Sequence, residues 1–480
     1  MINQDTIIDD VLLEFTAISQ IPRPSKCEQA ISDYLKGVFE NLGATTIQDS
    51  SNNLIADLPS TPGLEELPII AFQAHMDMVC IGDGSTEYNP KTDAISLLRD
   101  DSTLTANGTS LGADDGIGIA MIIYLFKNLA QHGRLRAIIT TDEEAGMSGA
   151  NNLAAEYVAD VKYLINCDSE EYDVVTIGCA GSAPMKFTKE LVRENATTAA
   201  LKIELFGFAG GHSGIDIGKS RANAIKLIAN FLLYLREQGL TYRLSSITGG
   251  RVPNAIAATA AAIITTSLPP STIEEYLQDY LAETSVTYRE EHAIDYRLRE
   301  EKAAPLSQEC ENSILTLITT LPSGVLGLNA ANTVETSANL GLVVNTENSI
   351  SLDYLPRSSF DSKLLEIIRI NKLLAASLGF KLAITEPSPG WKENIDSVLL
   401  PLMTDIFYQQ NGIPMQVENI HAGLECGYLA RKNPNLDIVS IGPTVLDIHT
   451  PDETLILETI PVQINLLVAL LDALIEIHSA

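Results

Sequence analysis

Histidine and carboxylate side chains fall in five short stretches of this chain, most of them at the end of an apolar run. The first is Ala74-His75-Met76-Asp77, after the run 67–72. In extended chain, residues i and i+2 face the same side. Asp77 can therefore accept a hydrogen bond from one ring nitrogen of His75 and leave the other for a metal. The second, Leu111-Gly112-Ala113-Asp114-Asp115-Gly116, sets two adjacent acids at the opening of an apolar helix. Aspartate is an ordinary helix cap, and a carboxylate held there can also bridge two cations. The third is Asp142-Glu143-Glu144 after the run 135–140. Three acids beyond a buried strand are costly unless solvated or neutralised. One glutamate would bind metal and its neighbour would work on water. The fourth is Asn166-Cys167-Asp168 and the fifth Asp447-Ile448-His449-Thr450-Pro451-Asp452-Glu453, after Ile441-Gly442-Pro443.

Taken singly, each stretch reads as a polar strand end, a turn or a cap. Together they supply two histidines and three or four carboxylates, a nitrogen and oxygen set that suits zinc or manganese and requires no thiolate. The chain has no HExxH helix, no GxSxG elbow and no glycine-rich phosphate loop. Metal-assisted hydrolysis is the chemistry these residues point to.

The elements around these stretches must bring them together. Residues 6–42 read as helical with a break at Ile21-Pro22-Arg23-Pro24. Strands are expected at 53–57, 67–75, 135–141 and 162–167, and helices at 114–130 and 148–157. This alternation predicts an α/β catalytic domain with a mostly parallel, helix-covered sheet, and such sheets bind ligands beyond the carboxyl ends of their strands. From residue 186 the pattern changes. Strands at 185–188, 200–206, 255–266 and 350–355 and helices at 221–237 and 359–378 predict an inserted α+β lid domain. The α/β pattern then resumes with a helix at 394–410, a strand at 436–441 and a closing helix at 460–478. The expected organisation is 1–185 and 388–480 for the catalytic domain and 186–387 for the lid.

The formal net charge of −31 disfavours nucleic acid as a partner. Six scattered cysteines without a CxxC pair fit a reducing compartment. Residues 1–5 show no basic and apolar leader pattern, and the run 464–477 contains Asp472 and Glu476, so a cytoplasmic, membrane-free chain is expected. His132, His292 and His478 read as surface residues.

The five motifs resemble those of the co-catalytic zinc peptidase family, which includes glutamate carboxypeptidases, aminoacylases, succinyl-diaminopimelate desuccinylase and bacterial di- and tripeptidases. Within it, His421-Ala422-Gly423-Leu424-Glu425-Cys426-Gly427 and the long insertion are similar to the aminoacyl-histidine dipeptidase branch. The resemblance spans essentially the whole chain. It implies two divalent ions, zinc with manganese or cobalt as alternatives. His75 and Asp168 would bind one ion, Glu144 and His449 the other, and Asp114 would bridge them. Asp77 would orient His75, and Glu143 would be the general base. Asp115 stands where the family usually has asparagine, which leaves open which of the two aspartates bridges. Asp168, rather than glutamate, is similar to the di- and tripeptidases.

In the insertion, Gly210-Gly211-His212-Ser213-Gly214 resembles the family's transition-state histidine loop, and Arg251-Val252-Pro253-Asn254 its substrate asparagine motif. Leu352-Asp353-Tyr354-Leu355-Pro356-Arg357 resembles the motif whose arginine binds the substrate's terminal carboxylate. Gly423 and Glu425 are further substrate-site candidates, Glu425 as a reader of the free amino group. The implied function is hydrolysis of dipeptides, of the Xaa-His type or broadly. The alternatives are an N-acyl amino acid deacylase on the same site and a non-catalytic metal-dependent binding protein. The resemblance also leaves open a homodimer through the inserted domain, and with it whether His212 serves its own active site or a partner's.

Overall fold

A computed structural model of the chain describes residues 4–85, 87–194, 198–288, 291, 293–329 and 332–479. The expectations for His292 and for residues 1–3 concern positions outside this set. The chain forms two compact units, one of Met1–Gly178, Trp391–Asn419 and Leu424–Ala480, the other of Cys179–Gly390 and Ile420–Gly423.

The first unit is built on a sheet of eight strands among the described residues. Their order is Thr45–Gln48, Leu54–Leu58, Leu135–Thr140, Ile69–His75, Val161–Asn166, Asp437–Ser440, Val174–Cys179 and Gln416–Ile420. The central pairings are parallel and the outer ones antiparallel. Parallel strands covered on both faces become continuous apolar runs, and Leu135–Thr140 is buried at every position. Register aligns the strand ends: His75 pairs with Thr140, Gln73 with Asn166, and Asn166 with Ser440. Four of the five chemical stretches therefore leave the sheet at one edge. The helices Gln4–Ser19, Ala113–Asn128, Leu399–Asn411 and Thr459–Ser479 pack together around it, sharing a core with Phe15, Phe72, Phe126 and Phe407. The last helix is long and apolar enough to cross a membrane, yet ten of its side chains are buried in this unit.

The second unit is α+β, with an antiparallel sheet backed by the helices Ala224–Glu237, Gln308–Thr320 and Asp361–Leu378. Phe187, Phe231 and Tyr354 lie in its own core.

Several boundaries differ from expectation for local reasons. The helix expected over 148–157 is two short pieces, Ser148–Asn152 and Glu156–Ala159, because Leu153 turns extended and buries its side chain. The helix expected from 221 starts at Ala224, capped by the Asn223 side chain, which accepts the Ile225 and Lys226 amides. The helix expected from 394 starts at Leu399, where Asp437 accepts the Val398 and Leu399 amides. His132 is not a surface residue: it is buried, with Nδ1 at 2.8 Å from the Gly133 carbonyl. His478 is half-buried and lies 2.9 Å from the Tyr163 hydroxyl. No disulfide joins any of the six cysteines.

Candidate metal centre

His75 ends a strand flanked by parallel neighbours, so its ring is 99% buried, with a side-chain exposure of 1%. Its Nδ1 lies 3.1 Å from the backbone carbonyl of Asp77. A carbonyl only accepts, so Nδ1 carries a proton and Nε2 is the nitrogen turned toward the acids. Nε2 lies 2.9 Å from Asp114 Oδ1 and 3.2 Å from Asp168 Oδ1. On the other side, His449 Nε2 lies 3.0 Å from Asp114 Oδ2 and 2.9 Å from Glu144 Oε2. The two oxygens of Asp114 thus face two different histidines, and each histidine has a second acid of its own. Ligand-capable atoms of His75, Asp114 and Glu144 lie within 4.8 Å of one another, as do those of His75, Asp115 and Asp168.

Asp77 lies beside His75 as expected and makes further contacts. Its carboxylate is 3.5 Å from His75 Nδ1, farther than its own carbonyl. The carboxylate also accepts the Glu143 amide at 3.0 Å, the Glu144 amide at 3.2 Å and the Ser25 hydroxyl at 2.8 Å. Two acceptor oxygens satisfied by three donors hold the Glu143-Glu144 turn against the His75 strand. Asp115 points inward: it is buried and accepts the His75 backbone amide at 3.1 Å. Asp114 and Asp115 have non-helical backbone angles, so the regular helix starts after them. Asp142 and His449 carry left-handed backbone, φ 57° and 60°, a conformation that clusters at functional sites.

The electrostatics describe a site short of positive charge. Burial would raise Asp114, but His449 and His75 outweigh it and hold this carboxyl well below the usual range. Asp114 and Glu144 hold the His449 imidazole up, to about 11. Burial, with Asp168, Glu425 and Glu144 nearby, pushes Glu143 well above an ordinary glutamate, against the pull of His75. Burial likewise pushes Asp168 to about 6. Carboxylates crowded with two imidazoles in one buried pocket are the donor set of a divalent-cation centre, so the residues present fit the group.

Glu425, read from sequence as a substrate contact, is fully buried. Its Oε2 accepts from Gln73 at 2.6 Å and from the Thr140 hydroxyl, while Oε1 has no partner. Burial pushes this carboxyl to about 8. Two further buried charges reach the same region, Arg23 and Glu453. Neither was assigned a role from sequence. Arg23 had a signal in its position between two prolines, and Glu453 in its place four residues after His449.

The second unit carries the remaining candidates. His212 Nδ1 accepts the Gly214 and Ile215 amides, each at 3.3 Å, which leaves the proton on Nε2. Burial and the nearby Arg357 hold this ring below the ordinary imidazole range. The Asn254 carbonyl accepts the Ser213 amide at 2.9 Å, while its side chain is exposed. Arg357 is 92% buried, with an exposure of 8%, and its Nε has no partner. Gly423 is half-buried and belongs to this unit, whereas Glu425 belongs to the first.

The chain is 33% identical over 460 residues to the cytosol non-specific dipeptidase of Escherichia coli, covering 93% of both chains. Its fold matches the crystal structure of aminoacylhistidine dipeptidase from Vibrio alginolyticus, with a TM-score of 0.88 and 32% identity over 97% of this chain and 96% of that one. Aminopeptidase PepT from Bacillus cereus shares the fold at a TM-score of 0.57 and 18% identity, covering 98% and 99% of the two chains. The profile of peptidase family M20/M25/M40 matches residues 71–473. With this match and the whole-length relative, the chain belongs to peptidase family M20/M25/M40.

Proposed function

We propose that this chain is a metal-dependent dipeptidase with the acid and histidine cluster of its first unit as the active site. The observation that carries the reading is the Asp114 carboxylate, which divides its two oxygens between His75 and His449. The likeness over the full chain to dipeptidases supports the substrate class. The cytosolic relative supports a cytoplasmic location.

His75 and Asp168 would hold one divalent ion and Glu144 and His449 the other, with Asp114 between them. Zinc is the ion proposed, and manganese or cobalt fit the same donors. Such ions, when bound, lower the pKa of water and polarise a carbonyl. Burial raises the proton affinity of the Glu143 carboxylate above that of an ordinary glutamate, which makes it the stronger base. It accepts the proton of the attacking water, and the water oxygen bonds to the peptide carbon. As the C–N bond breaks, Glu143 returns that proton to the leaving amine. His212, with its proton on Nε2, is a donor for the oxygen that gains charge. Arg357 would select a free substrate carboxylate, and Asn254 and Gly423 would contact the peptide, in the chain's own site or that of a second copy. Glu425 is fully buried against Gln73 and Thr140 and would act there without touching the peptide.

The test is a turnover assay on the zinc-, manganese- and cobalt-loaded protein with a dipeptide panel, Xaa-His included, beside acetyl-amino acids. Dipeptide hydrolysis that stops on chelation and returns with metal is expected. Faster cleavage of acetyl-amino acids would make the protein a deacylase, and binding without turnover would make it a binding protein.

A further inference from the structure

We propose that Arg23 and Glu453 clamp the loop 111–114 from two sides and thereby set Asp114 between the two histidines. This inference rests on the two-metal reading above. Glu453 is 98% buried, with an exposure of 2%. Its carboxylate accepts four successive amides: Leu111 at 2.8 Å, Gly112 at 2.9 Å, Ala113 at 2.8 Å and Asp114 at 3.3 Å. A carboxylate offers about four acceptor sites, so Glu453 is saturated by this one loop. Arg23 takes the other face of the same peptide units. One guanidinium nitrogen donates to the Gly112 carbonyl, and the other to the carbonyls of Met76 and Asp77, both at 3.0 Å. The Asp77 carbonyl is also the acceptor of His75 Nδ1. Arg23 therefore ties the peptide that orients one histidine to the loop that carries the shared carboxylate.

The two glycines around the aspartates fit this role. A Cβ on Gly112 would lie 2.7 Å from Arg23 Nη2, and one on Gly116 would lie 2.6 Å from the same atom. Gly112 also has φ +70°, where a side chain is strained. Both glycines leave room for the guanidinium. A fully buried guanidinium is costly to hold; three backbone carbonyls, the Glu453 charge and Asp77 offset part of that cost, while Nε has no partner. Arg23 and Glu453 are positioning residues: neither reaches the cluster with its own side chain, and each acts through the backbone of its ligands.

The experiment uses full-length R23K, R23M, E453Q and the R23K/E453Q pair. Zinc affinity is measured by chelator competition, the Co2+ form by its visible spectrum, and kcat and KM on one dipeptide. Lysine keeps the charge but lacks the planar fork that spans separate carbonyls. Expected is a loss of about 10- to 100-fold in zinc affinity or kcat for each single variant. KM should stay within about twofold, the Co2+ spectrum should be altered, and the double variant should lose less than the product of the singles. If R23M does not fold, R23K and E453Q carry the test. Folded variants that lose thermal stability while keeping wild-type zinc affinity, Co2+ spectrum and kcat overturn the clamp. A wild-type protein that binds no zinc overturns the two-metal reading itself, whereas a zinc-binding wild type beside unaffected variants overturns the clamp alone.

Discussion

Asp77 Oδ1 accepts the backbone amide of Glu143 at 3.0 Å, so the residue paired by sequence with His75 also holds the loop of the proposed base. Asp77→Asn replaces one acceptor oxygen with a donor that faces a donor. Both His75 and Glu143 would lose their alignment. The expected loss in kcat is roughly 10- to 100-fold, read in steady-state kinetics on a dipeptide. A kcat within a few-fold of wild type would show that the Asp77 contacts do not matter for turnover.

Glu143 is the proposed proton carrier, and none of the closest ligand contacts among His75, Asp114, Asp168, Glu144 and His449 requires it. Glu143→Gln should keep its metal, as measured by elemental analysis, and lose about 10²- to 10⁴-fold in kcat. Near-normal turnover would move the base elsewhere.

Glu425 is buried beside Gln73 and Thr140, and burial raises its carboxyl to about 8. The unfolded value for glutamate is about 4.3. Between these values the folded chain holds a proton here that the unfolded chain has released, so stability falls as pH rises from about 4.3 and levels off above about 8. In chelated protein, thermal unfolding followed from pH 6.5 to 9 should show this decline, and Glu425→Gln should flatten it, leaving KM for dipeptides unchanged. An undiminished slope, or a large rise in KM, would show that Glu425 is ionised or touches substrate.

Arg357 is 92% buried, at 8% exposure, with Nε unpaired, a state suited to an anionic ligand. Arg357→Ala should raise KM for dipeptides by roughly 10- to 100-fold, the worth of a charged hydrogen bond. It should act less on an amidated peptide. An equal effect on both would remove the carboxylate role.

Much of the first unit was legible because parallel buried strands leave a strong signal, an apolar run ending abruptly in polar residues. The strands ending at His75, Thr140 and Asn166 were placed within a residue or two. The antiparallel outer strands were less visible, since short half-exposed strands resemble loops until their partners are known. The Asn223 and Asp437 caps show the same limit: the first is local and readable, while the second comes from 38 residues away.

The local order of residue types determined which groups could do chemistry here: histidines and acids at strand ends, with glycines beside the paired aspartates. Covalent neighbourhood and the period of extended chain are enough for that. Tertiary structure decided what each group touches. It set Asp77 between His75 and the Glu143 amide, Asp115 toward the His75 backbone and Glu425 into the interior. It also gave Arg23 and Glu453 their place, because hydrogen bonds and buried charge depend on distance in space, and here the partners are 89 and about 340 residues apart.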